Sequence, residues 1–191
     1  MGCSKCPLKF CAVRWLENSS SICRALEILL HLIVFVLQCK EKGTKRPTCS
    51  SYKVIEEAVS DELLSAKLAF ALSIAEELEP FLCEFQIDKL TVPFLSAALE
   101  GILRSLVSRI LKKKVLDCAN TPSTLTRIDF DIPENAINVA AFDVGFSTKT
   151  ELRKSKKLSQ LAILDFKKKA VCYLQKLVHR KWWKDHHLSA N

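Results

Sequence analysis

Glycine is scarce in this chain of 191 residues, with 4 copies, and so are proline with 6 and histidine with 4. So little glycine excludes collagen-like and elastic repeats and leaves no Gly-rich loop to cradle a nucleotide's phosphates. No segment matches the P-loop, dinucleotide-binding, zinc-protease or nucleophile-elbow patterns. Two of the four histidines, His186 and His187, fall in the last six residues, which removes most of the material for a His-based hydrolase or metal enzyme.

Long uncharged apolar runs are lacking too. The longest, from Ile28 to Cys39, has twelve residues and includes His31, whereas a spanning helix needs about twenty. Arg24 and Glu27 precede it, and Lys40, Glu41 and Lys42 follow. A helix buried on most sides is therefore expected. The competing reading is a membrane-associated protein, held by residues 28–39 or by acylation of Gly2 and Cys3. The myristoylation pattern wants Ser or Thr at position six, where Cys6 stands, and no apolar core of a secretory signal follows.

What is present is globular. Apolar residues make up 49% and charged residues 26%, enough for one domain or two small ones with a real core. Nine cysteines in a chain without a secretory signal predict a reducing, intracellular setting, nuclear or cytoplasmic, with thiols mostly free and buried. Cys3 and Cys6 form a CxxC, but no second pair stands at matching spacing, so no metal site is predicted.

The net charge of +8 is unevenly spread. Residues 1–103 carry 11 basic and 13 acidic side chains, and residues 104–191 carry 18 and 8. An excess of this kind suits an anionic partner such as nucleic acid. The densest clusters are Lys112, Lys113 and Lys114, then Lys167, Lys168 and Lys169. The first set also suits the C-terminal end of a helix dipole, which explains it without a ligand.

Periodicity is helical over most of the length. Asn18 is placed to cap a first helix reaching about Cys39, and Ser50 opens a short second one. Ser60 caps a long third, with Leu64, Leu68, Ala71, Ala75 and Leu78 on its apolar face and Pro80 breaking or kinking it. Thr91 caps a fourth, whose face is Phe94, Ala97, Ala98, Ile102, Leu106 and Ile110. Residues 119–147 are irregular, with a strand-like alternation at residues 126–130. Ser147 caps a short helix, and Ser159 starts a last long one with Phe166, Ala170, Tyr173 and Leu174 inward. The fold class is thus mostly α, an irregular helical bundle with an excursion around 119–147. The segments are 1–18, 19–118 (helical), 119–147 (irregular connector), 148–180 (basic helices) and 181–191 (disordered tail).

Catalytic chemistry is hard to assemble. Asp129 and Asp131 share one side of the strand-like segment and form the single candidate pair for a metal-dependent enzyme. Acids elsewhere fall in helical first turns or opposite apolar stripes.

One order of motifs is more specific. Pro7 to Asn18 reads PLKFCAVRWLEN, then Arg24-Ala25-Leu26-Glu27, Ala66-Lys67-Leu68-Ala69-Phe70, Phe85-Gln86-Ile87-Asp88-Lys89 and Val92-Pro93-Phe94-Leu95. In this order and spacing the chain resembles domesticated hAT-type transposases over roughly residues 7–178. Leu90 stands where the family pattern has proline. The resemblance implies the helical insertion region, without the BED zinc finger, the catalytic acids or the C-terminal dimerisation segment. It therefore implies no catalytic residues, cofactor or small-molecule substrate. It implies partners among nucleic acid, bound weakly and salt-dependently, or a related transposase-derived protein. In the family the Arg-Trp tryptophan stacks at DNA ends, and Arg14 and Trp15 are the matching positions.

Overall fold

Helices dominate because the sequence repeats apolar residues at three- and four-residue spacing and has few glycines to interrupt them. The computed structural model describes residues 5–9, 16–41, 47–85, 92–130, 132–155 and 158–179. Among these are eight α-helices: α1 Leu16–Glu41, α2 Ser50–Val59, α3 Leu64–Glu84, α4 Val92–Ser108, α5 Lys113–Cys118, α6 Pro122–Thr126, α7 Phe146–Lys154 and α8 Gln160–His179. A 3-10 turn, Val139–Ala141, and an isolated antiparallel bridge between Leu111 and Ala136 add to them. The chain is mostly α, as expected. The strand-like alternation at 126–130 is not a strand: Thr126 ends α6, and no strand occurs among the described residues. A capping box, in which the Thr121 and Thr124 side chains each bond the other's backbone N–H, makes a short helix within the segment expected to be irregular.

Two compact units divide the chain, residues 1–82 with 145–158, and residues 83–144 with 159–191. In the first unit, residues 5–9 run antiparallel to α1. Lys5 pairs with Glu27 at 2.9 Å, Arg24 donates to the Cys6 carbonyl at 3.2 Å, and Ser21 donates to the Lys9 carbonyl at 3.2 Å. Hydrogen bonding from Lys5, with the nearby charges of Lys5 and Arg24, holds the Glu27 carboxyl below its ordinary pKa. Further along, α1 meets α2, through Lys40 and Glu56 at 3.4 Å and an edge-to-face contact of Phe35 with Tyr52 at 6.2 Å.

Burial on α1 departs from expectation. Ile28, Leu29 and Val36 are buried, but Leu30, Val34, Phe35 and Leu37 face solvent. The stretch Asn18–Glu41 is long and apolar enough to cross a membrane, and only 11% of its most apolar window is buried. A helix apolar all round needs neighbours all round, and α1 is not given them here. Asn18 does not cap α1; it is buried inside the helix, which is already formed at Leu16. Ser60 closes α2 instead of opening α3. Its N–H reaches the Glu56 and Glu57 carbonyls, and Asp61 Oδ1 accepts the Leu63 N–H ahead of α3. Helix α3 continues through Pro80 to Glu84, and its buried residues are Ala66, Ala69, Phe70 and Ile74, a face turned from the expected stripe. Helix α7 starts at Gly145, whose φ of 87° and ψ of 161° suit glycine alone, so Ser147 is interior rather than a cap.

The second unit is organised by α4 and α8. Phe166, Ala170, Leu174 and Val178 recur every fourth residue on the buried face of α8, while Tyr173 is exposed. Leu103, Leu106, Val107 and Ile110 are buried along and just after α4, and Phe94 is exposed. Ser159 caps α8 as expected, its Oγ accepting the Ala162 N–H at 3.1 Å.

Candidate nucleic-acid interface

The first lysine cluster does not sit at a helix C-terminus. Helix α4 ends at Ser108, and residues 110–112 pair with residues 135–137 through two backbone bonds, Lys112 N–H to Asn135 and Ile137 N–H to Ile110. Lys112 is the N-cap residue of α5, and Lys113 and Lys114 fill its first turn. The helix dipole, weak in six residues, opposes cations there, so it does not explain this cluster as the sequence suggested. Two breaks in the helical periodicity, at Arg109 and at Ala119, separate what the sequence ran together.

Lysines of both clusters reach the same excursion. Lys112 Nζ donates to the Pro133 carbonyl at 3.0 Å, and Lys167 Nζ donates to the Ala140 carbonyl at 2.6 Å. The loop between is held from inside, by Asn135 Nδ2 on the Asp129 carbonyl at 2.8 Å and Asn138 Oδ1 on the Ala140 N–H at 2.8 Å. Lys169 pairs with Asp165 at 2.7 Å one turn away, an exposed pair of small worth. Lys113, Lys114 and Lys168 are exposed and bond no described residue. Arg104, on α4, closes α5: its Nη2 donates to the Ala119 carbonyl at 2.9 Å and to Glu100 at 3.0 Å.

Arg14, Trp15 and Asp131 lie outside the described residues, as does the tail 181–191. Asp129 is exposed. Among the described residues no group of three or more His, Cys, Asp or Glu gathers where a metal ion could sit. Of the described cysteines, Cys6, Cys23, Cys49, Cys83, Cys118 and Cys172 are exposed and Cys39 is half-buried, so the expected buried thiols are not found; these positions fall on outer helix faces and connectors.

Space redistributes charge in a way the sequence halves hide. Lys149, Arg153, Lys154, Lys156 and Lys157 belong to the first unit, which carries 15 basic and 11 acidic side chains; the second carries 14 and 10. Each unit is net +4, so the basic excess is not confined to one of them. No family model matches this chain, and no curated protein or solved structure is found to resemble it.

Proposed function

We propose that this protein is a non-catalytic helical module, akin to the hAT-type insertion region, that binds nucleic acid weakly through exposed lysines of its second unit. The observation that supports this reading is the placement of Lys113 and Lys114. They stand exposed at the start of α5, where the dipole gives them nothing and no described acid pairs with them. Lys168 presents a third such charge on α8. Cations in such places add little to folding and are available to a polyanion.

Binding of this kind rests on counterion release, so it falls steeply with salt. Replacing Lys113, Lys114 and Lys168 with Gln is expected to weaken duplex binding and to reduce the salt slope by about 0.9 for each phosphate no longer neutralised. These three are cleaner targets than all six lysines, because Lys112 and Lys167 also satisfy backbone carbonyls. Trp15→Ala is expected to leave duplex binding unchanged and to act only on ends with unpaired bases. The test is a fluorescence titration of labelled duplex over a series of salt concentrations. No binding at low salt refutes the proposal.

The exposed face of α1 favours membrane association as a second reading. The stretch Asn18–Glu41 has the length to span, but its uncharged run of twelve residues is only about 18 Å long as a helix, so spanning a hydrocarbon core of about 30 Å would draw Arg24, Glu27 or Lys40 towards it. A peripheral seat on the bilayer is the form this reading takes. Carbonate extraction of membranes tests it, since a protein released by carbonate does not span.

A further inference from the structure

The first unit contains an open groove of about 670 Å3 between α1, α3 and α7. Leu26 and Ile33 of α1 and Leu64 and Leu72 of α3 line it. At its edges stand Leu30 and Phe146, which are 73% and 84% exposed, the largest values among the exposed large hydrophobic residues described in this unit. Both are apolar, both are on helices, and both face one cavity. Leu30 also begins a stripe: Leu30, Val34 and Leu37 are spaced by four and three residues and all are exposed, so the apolar strip continues along α1 beyond the groove. From Leu26 to Leu37 it runs about 16 Å, or three helical turns. A compact small molecule leaves most of such a strip uncovered. An amphipathic helix covers it with residues at i, i+3, i+4 and i+7.

The polar rim selects the helix. Glu62 and Glu76 are exposed on the groove lining and pair with no described residue, whereas Glu151 is already paired with Lys154 at 2.6 Å and Asp61 with Lys67. The uncompensated charge at the lip is negative, in a unit that is otherwise net positive. We propose that this groove is a docking site for an amphipathic helix of a partner protein, one whose apolar stripe is flanked by lysine or arginine. Leu30 and Phe146 close over the stripe, and Glu62 and Glu76 receive the flanking cations. An acidic lip disfavours an anionic bilayer on the same face, which separates this partner from a lipid surface.

The probe is a labelled peptide of about 15 residues, long enough to form helix in place, with Leu at i, i+3, i+4 and i+7 and Lys on both flanks. Fluorescence anisotropy against the full chain is expected to show saturable binding. A Glu-flanked peptide with the same stripe is expected to bind at least about tenfold more weakly. Leu30→Asp with Phe146→Asp is expected to abolish binding, and both sites are so exposed that the fold survives, as circular dichroism checks. Glu62→Lys with Glu76→Lys is expected to reverse the preference, so that the Glu-flanked peptide binds more tightly. Equal binding of both peptides to the native chain, or preference unchanged by the charge reversal, overturns the proposal. So does sedimentation of the protein with neutral phosphatidylcholine vesicles that Leu30→Asp abolishes, when neither peptide binds.

Discussion

Thr148 shows most directly what single side chains contribute. It is fully buried on α7, and its hydroxyl finds no partner among the described residues. A buried hydroxyl without a hydrogen bond carries a desolvation cost that nothing returns. Thr148→Val keeps the shape and removes that cost, so unfolding stability is expected to rise by about 1 kcal/mol. A loss of stability on urea denaturation contradicts this account. Glu27 acts oppositely, as an exposed group with a favourable partner. Its pKa is lowered in the folded state, so its contribution is present above the unfolded pKa and is lost as pH falls through the folded one. The melting-temperature gap between the native chain and Glu27→Gln is therefore expected to be open at neutral pH and to close in acid. A gap that widens in acid contradicts the Lys5 pairing.

Elements in this chain start and stop through devices of unequal visibility. Ser159 and the Thr121–Thr124 box act through side chains written in the sequence. Gly145 acts through a dihedral pair that only glycine holds without strain, and it is the one described residue with positive φ. Gly145→Ala is expected to cost about 1–3 kcal/mol, read as a fall in the denaturant midpoint. Midpoints that coincide mean that the turn relaxes without strain. Neither the interior placement of Asn18 nor the role of Ser60 as a C-cap was legible, because Ser and Asn suit either end of a helix and their neighbours decide which. Helix α3 shows the same limit. Its apolar residues are numerous enough to draw two stripes, and the neighbour chose Ala66, Phe70 and Ile74.

The whole molecule has two cores, and each is assembled from stretches separated along the sequence, the first joining residues 1–82 to 145–158. Leu152 is buried in the first unit and Leu174 in the second. Either residue cut to Ala is expected to lose about 2–5 kcal/mol. Hydrogen exchange distinguishes the sites. Leu152→Ala is expected to speed exchange of α1 and α3 amides, and Leu174→Ala that of α4 and α8. A uniform rise throughout the chain for both variants means one cooperative core instead of two. The same division evens out the charge, since residues 145–158 take a run of lysines and arginine into the first unit.

The sequence by itself determined that the chain is mostly helical, because three- and four-residue periodicity and the shortage of glycine are properties of the chain read locally. It also placed the cap of α8 at Ser159. Tertiary structure decided which of the clustered lysines are taken up by backbone carbonyls and which stand open. It also decided that residues 145–158 join the first unit and that α1 keeps an apolar side in solvent. Each of those outcomes depends on what lies opposite a residue in space. A run such as Ile28 to Cys39 is apolar on every side, and such a run specifies a helix without specifying which of its faces will be covered.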